Sequence, residues 1–443
     1  MDSNIGYPSD ASARRVTYSF LHPRDEILQA MERVYRYRMT TTSGGNLSIR
    51  EPGGDLWITP ARLDKGALRR EDIVCVHPDG RVEGIRKPSS ELPIHQEIRR
   101  RRPELGGIVH AHPTALVAFS LAGRTPNPRL FHQAWRVCGE VGFAPYRLPG
   151  SPALGAIVAD TFEQGHHCVI LENHGVVTAA ETLQQAFRRF ETLEFTAKTI
   201  IKAALAGGEV RFLSDEQLDL ERRRSGSLEE FTRAKPTSEE CEVRRRLAEF
   251  VRRAYRQRLF ISTQGSYSAR VGERSFVTTP YQVDRGAVEE EDLVLVVDGR
   301  AEAGKTPSRA ARMHNTIYRD HPEVGAIVNA YPVNATAFSV TGLALDSRTI
   351  PESYVVMRHV GRAPFGLQFG EGGEVSAMLA PERLALILEN DGVLVTGGDV
   401  LEAFDRLEVL ESTAEAIINC RAVGELRPLT GEVTRELDRE FFG

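Results

Sequence analysis

His110 and His112 stand one residue apart at the end of the apolar run GGIVHAH. Along a strand, side chains at i and i+2 emerge on one face. Two imidazoles so spaced can chelate one metal ion without bending the backbone. Pro113 then ends the run. Considered alone, the pair also fits a solvated strand end. His174 strengthens the metal reading. It ends a second apolar run, CVILENHG, just before Gly175, whose freedom permits a sharp turn. Three neutral imidazoles around a divalent ion leave one position open for a substrate. The bland alternative for His174 is a turn or capping histidine.

Ser89-Ser90-Glu91 opens a helical pattern, SSELPIHQEIRRRRP, with Ser89 or Ser90 expected as N-cap. A first-turn acid could simply complement the helix dipole. Serine hydroxyls and free N–H groups at a helix start can also hold a phosphate or carboxylate. The nearby Ser43-Gly44-Gly45-Asn46, by itself, reads as a plain turn.

The chain contains an internal duplication. WITPARLDKGALRREDIVCV corresponds to VTTPYQVDRGAVEEEDLVLV, placing Thr59 on Thr279 at an offset of 220. His110 falls on Asn329 at an offset of 219, and His174 on Asp391 at 217. The three histidines become Asn329, Tyr331 and Asp391, and Glu91 becomes Ala310. Unrelated surface residues need not vanish together, whereas a site lost from one copy would. Glu91 therefore reads as a general acid/base or a fourth metal contact. His95 persists as His314, which favours a structural role.

The elements that must position these residues are mixed. Helical periodicity appears in DEILQAMERVYRYR and TLQQAFRRFETLEFTAKTIIKAAL. Short apolar strands appear in DLWITP, DIVCVHP, GGIVHAH and HCVILENHG. Their interleaving indicates α/β layering. The polar stretch LSDEQLDLERRRSGSLEEFTRAKPTSEEC reads as a linker, giving domains 1–230 and 235–443.

The chain has 443 residues, too many for one compact domain. Its 56 basic and 61 acidic residues give a net charge of −5, which removes the basis for a dedicated nucleic-acid binder. No apolar run of about 18 residues predicts a membrane span. The N-terminus lacks the apolar core of a secretory signal. The five cysteines form no CxxC pair and read as reduced thiols of a cytoplasmic protein.

TTSGGNLSIR, WITP, KPSSE, VHAHP and ENHG, in that order, resemble the class II aldolase/adducin family. Fuculose-phosphate aldolase, rhamnulose-phosphate aldolase and ribulose-phosphate 4-epimerase are members. The resemblance covers nearly all of the first half, and the second half as fold without the active-site residues. It implies two tandem α/β/α sandwiches, each around a mostly antiparallel sheet. It implies a divalent metal on His110, His112 and His174, most often zinc, with iron, manganese or cobalt as alternatives. Glu91 would be the catalytic acid/base, and Asn46, Ser89 and Ser90 the anion-binding set. One departure stands out. The family's ITPTG is replaced by Thr59-Pro60-Ala61-Arg62. Arg62 could bind a phosphate, clamp a carboxylate through two hydrogen bonds, or simply face solvent.

The expected activity is aldolase-type carbon–carbon cleavage of a small hydroxy-carbonyl compound, such as a sugar phosphate or sugar acid, through a metal-stabilised enediolate. The scaffold also serves decarboxylating oxygenases, decarboxylases, dehydratases and epimerases, and three histidines suit ferrous iron. A non-catalytic adducin-like scaffold is a further class, against which the intact first-half residues argue. Family enzymes are commonly four-subunit rings. A homodimer of this tandem chain would build a pseudo-tetrameric ring of four domains, with the second copy as a degenerate partner.

Overall fold

A computed structural model of the chain describes residues 21–224 and 227–443. These residues divide into two compact units, one of 21–129 and 133–198, the other of 130–132 and 199–443.

In the first unit the strands are β1 (Asn46–Arg50), β2 (Leu56–Ile58), β3 (Val74–Val76), β4 (Val82–Glu83), β5 (Gly107–Ala111), β6 (Val141–Ala144), β7 (Cys168–Leu171) and β8 (Gly175–Ala180). They form one sheet in the order β4-β3-β2-β1-β5-β8-β7-β6. Only the β6–β7 pair is parallel. The helices are α1 (Pro23–Arg36), α2 (Leu92–Arg101), α3 (Thr114–Leu121), α4 (His132–Cys138) without its first residue, α5 (Pro152–Glu163), and α6 (Leu183–Leu205) without its last seven residues.

Strand parity divides the layers. Ile108, Val169, Leu171, Val177 and Ala179 pack against Ile94 and Ile98 of α2 and Leu154, Val158 and Phe162 of α5. Thr178 points to the other face, where its hydroxyl donates to Ala186 O of α6. Helices thus cover both faces, as expected of an α/β/α sandwich. The apolar runs that predicted strands lie where expected, because each supplies alternating side chains to both helical layers.

Two local expectations are corrected. His174 does not end a strand. β7 stops at Leu171, and Glu172-Asn173-His174 form the turn into β8. Asn173 takes the left-handed conformation there, with φ 52°, a role that asparagine tolerates. Gly175 serves a different purpose. A Cβ on it would lie 2.6 Å from Ala111 O and 2.7 Å from His112 Cδ2, so glycine lets β8 close on β5. At α2 neither serine is the N-cap. Glu91 holds that position, and its carboxylate makes no capping bond.

The second unit repeats the design. Its strands β9 (Glu230–Phe231), β10 (Ser266–Gly272), β11 (Ser275–Thr278), β12 (Val294–Val297), β13 (Arg300–Glu302), β14 (Ala326–Ala330), β15 (Val360–Ala363), β16 (Ala385–Leu388) and β17 (Gly392–Gly397) follow the order β15-β16-β17-β14-β10-β11-β12-β13-β9. Strand β9 is an addition without a counterpart in the first sheet, and it comes from the segment expected to be a plain linker. It pairs in parallel with β13. The linker also carries a helix, Asp215–Arg224. The core of this unit gathers Met313, Ile317 and Tyr318 against Ile327, Leu386, Leu388 and Leu394. No helix among the described residues is long and apolar enough to cross a membrane.

Candidate metal centre

β5 delivers His110 to the sheet face that carries α2, since His110 and the core residue Ile108 are two apart. His112 follows just beyond the strand end. The β7–β8 turn brings in His174, held by its backbone N–H donating to Ser120 Oγ at 3.1 Å. Ligand nitrogens of the three rings lie within 4.8 Å of one another. His110 is fully buried, and His112 and His174 are partly so.

Glu91 completes the cluster from the start of α2. Its Oε2 lies 3.0 Å from His110 Nε2, and its Oε1 lies 3.3 Å from His174 Nε2. Burial alone would raise its pKa. The charges at His110 and His174, with the Asn46 N–H, outweigh that and hold the carboxyl well below the usual carboxylate range. Burial opposes protonation of His110, but the adjoining carboxylate lifts its pKa above the ordinary value. Burial and then the charge at His110 push His112 down to about 3 and His174 down to about 4.

The donor set fits a divalent cation. His110 Nδ1 is 2.9 Å from Val176 O, and donation there leaves a lone pair on Nε2 facing the cluster. The Nε2 atoms of His110 and His112 are 3.1 Å apart. Two imidazole lone pairs that close repel unless a proton or cation separates them. Tetrahedral zinc, with Zn–N near 2.0–2.1 Å, sets ligand nitrogens roughly 3.3 Å apart. His174 Nδ1 is buried without a hydrogen-bond partner, and Glu91 Oε1 likewise lacks one.

Around the cluster runs a directed hydrogen-bond chain. Buried Arg99 donates from Nη2 to Ser48 Oγ at 3.0 Å. Ser48 Oγ lies 2.5 Å from His95 Nδ1, and His95 Nε2 lies 2.5 Å from Asn46 Oδ1. Asn46 Nδ2 donates to Glu91 Oε2 at 2.8 Å. Burial and then Arg99 force His95 well below its ordinary pKa, so it is neutral. With one proton on that ring, the consistent assignment donates each bond toward Glu91.

The structure thus brings together Asn46, Ser89, Glu91, His110, His112 and His174. Ser89 is buried and its hydroxyl accepts from Glu91 N at 3.2 Å. Ser90 and Arg62 are exposed, and among the described residues no hydrogen bond or ion pair ties either side chain to the cluster. Arg62 occupies a left-handed turn position with φ 52°. Sequence reasoning missed Ser48, Arg99 and Ser120. Ser48 had a signal, being two residues from Asn46 on one strand. Arg99 and Ser120 had none, since each meets its partner only through the tertiary fold.

Comparison with known proteins follows the same outline. The model of the class II aldolase and adducin N-terminal domain matches residues 25–201 and again 245–418. The 3-oxo-tetronate 4-phosphate decarboxylase of Haemophilus influenzae is 32% identical over 209 residues, covering 46% of this chain and 98% of that protein. The 5-deoxy-D-ribulose 1-phosphate aldolase of Bacillus thuringiensis serovar kurstaki is 32% identical over 202 residues, covering 44% and 92%. The L-fuculose phosphate aldolase of Methanococcus maripaludis is 31% identical over 174 residues, covering 39% and 93%.

Proposed function

The chain belongs to the class II aldolase and adducin family, and from that premise we propose that its first copy, residues 1–230, is a metal-dependent lyase. It would cleave a carbon–carbon bond in a small hydroxy-carbonyl compound such as a sugar phosphate or sugar acid. The observation that carries this reading is the convergence of three imidazoles on an ionised, buried Glu91.

His110, His112 and His174 would hold the ion, zinc first among the candidates. A bound divalent ion would supply Lewis acidity toward the substrate's carbonyl and hydroxyl oxygens. Glu91, a carboxylate at neutral pH, would take the proton from the substrate hydroxyl as the carbon–carbon bond breaks. It would return a proton to the carbon left electron-rich by the departing aldehyde. Asn46 fixes the carboxylate for that work. Ser89 and Ser90 at the start of α2 would bind a substrate anion, with Arg62 as a further candidate partner for it.

Decarboxylation is the second reading, favoured by the similarity to the H. influenzae decarboxylase. It breaks a carbon–carbon bond and leaves the same kind of enediolate, with carbon dioxide replacing the aldehyde. The second copy, residues 235–443, would be a degenerate partner domain. A cytoplasmic homodimer of four domains with two such centres is the proposed assembly, with no nucleic-acid or membrane partner.

Elemental analysis of wild type beside His110→Ala/His112→Ala tests the proposal. One ion fewer per chain in the variant, with loss of aldol-cleavage or decarboxylase activity, is the expected result. Equal metal content in both proteins would overturn it.

A further inference from the structure

The first sheet carries a second group of ligating side chains, on the face opposite His110. Leu56, Ile58, Val74 and Val76 point toward α2, where Leu92 packs on them. Asp55, Trp57, Cys75 and His77 alternate with these residues and so point the other way. We propose that Asp55, Cys75 and His77, assisted by Glu83, form a second and structural site for a divalent transition-metal ion.

Four observations carry this inference. Ligand atoms of Asp55, Cys75 and His77 all lie within 4.8 Å of one another. His77 Nδ1 is 2.8 Å from Asp55 Oδ1, and its Nε2 is 3.2 Å from Glu83 Oε2. Glu83 stands directly across from Cys75 in the β3–β4 register. The thiol is buried, and among the described residues it makes no hydrogen bond. Its surroundings are acidic as well. Burial first, then Asp55, Glu83 and Glu51, push the thiol up to about 11. A cation entering there meets an excess of negative charge.

The duplication supplies the control. Asp55, Cys75 and His77 correspond to Ser275, Leu295 and Val297 on β11 and β12. The same strands therefore fold with apolar residues at two of the three positions. The fold does not demand a thiol beside an imidazole. Glu83 corresponds to Glu302, which has found other partners in Arg244 and the Leu295 N–H. Asp55, Cys75 and His77 are replaced together while the scaffold persists, the same pattern that marks His110, His112, His174 and Glu91.

A sulfur, a nitrogen and carboxylate oxygens suit zinc or cobalt in tetrahedral coordination. Binding breaks the Cys75 S–H bond, forms a sulfur–metal bond and releases one proton to solvent. The ion would pin β4, a two-residue exposed edge strand, to β3 and β2. It needs no part in the chemistry at His110.

Cobalt(II) titration of the full chain after chelator treatment tests this. Wild type is expected to take two ions and to develop thiolate-to-cobalt charge-transfer absorption. His110→Ala/His112→Ala should lose one ion and keep that absorption. Cys75→Ser should lose one ion and the absorption, while keeping activity. His77→Ala, at a partly buried ring, should weaken the absorbing site at least tenfold and serves if the serine variant does not fold. Absence of the absorption in wild type, or its survival in both Cys75→Ser and His77→Ala, would overturn the proposal and leave His77 as an imidazolium between two acids.

Discussion

Asn46 and Glu91 are bound to each other across 45 positions of sequence, amide nitrogen to carboxylate oxygen at 2.8 Å. The other end of the amide is fixed by His95 at 2.5 Å, so Asn46 cannot flip without breaking both contacts. In the second copy Ser266 replaces Asn46, and His314 finds its amide partner one strand over, at Asn329 Oδ1, 2.6 Å away. The asparagine has exchanged strands and now occupies the position of His110. The buried histidine keeps its partner in both copies, while only the first copy ends its chain of bonds on a carboxylate.

Asn46→Ser should therefore separate holding from folding. The smaller residue cannot reach both His95 and Glu91. Loss of a side chain that orients a ligand or catalytic group typically costs about 10–100-fold in metal affinity or activity. Steady-state kinetics should show a fall in that range with little change in the midpoint of thermal unfolding. An unchanged kcat would show that Glu91 is positioned without the amide.

His314 offers a pH test remote from any proposed ligand. Burial lowers its pKa to about 4, with the Asn329 bond opposing. The unfolded chain binds a proton there near pH 6.5 and the folded chain does not. Stability from this group is thus complete above about pH 6.5 and falls as pH drops toward 4, by up to about 3 kcal/mol on the linkage relation. Urea unfolding of wild type and His314→Gln across that window should show the steeper acid loss in wild type. Parallel curves would refute the buried, neutral assignment.

Much of this site is legible in the sequence because two simple periods carry it. His110 and His112 share a face by strand alternation, and the duplication marks which residues are lost together. The place of His174 was harder. Its strand ends three residues early, and only the left-handed Asn173 reveals the turn. Glu91 was expected behind a serine cap, yet it is the cap residue and turns its carboxylate away from the helix. Lys65 shows the opposite limit. It is buried with its ammonium on Pro60 O at 2.7 Å, and burial lowers its pKa to about 8. Its counterpart Arg285 is also buried on backbone carbonyls, so the duplication marks both as structural.

Gly45 is required by its backbone. Its φ is 72°, and a Cβ there would lie 2.9 Å from His110 O. Gly45→Ala should cost about 1–2 kcal/mol from the left-handed conformation, plus whatever shift β1 makes against β5. Metal content should fall with it, since the contact is to the backbone of His110, a proposed ligand. Gly53 has open space around it and serves as the control. Equal metal content and equal unfolding midpoints in Gly45→Ala and Gly53→Ala would contradict the argument.

Glu91 decides between proton transfer and metal holding. Glu91→Gln keeps the shape and the capacity to accept from Asn46 but removes the charge. If the carboxylate moves protons, the variant should retain its ion on the three histidines while kcat falls about 10²–10⁴-fold, the usual worth of a positioned acid/base. If the carboxylate is instead a fourth ligand, metal content should fall in step with activity. Glu91→Ala, which reproduces Ala310 of the second copy, should behave like the glutamine variant in the first case and lose the ion in the second. Measuring bound metal and kcat on the same samples separates the two roles, because only proton transfer leaves a loaded and inactive protein.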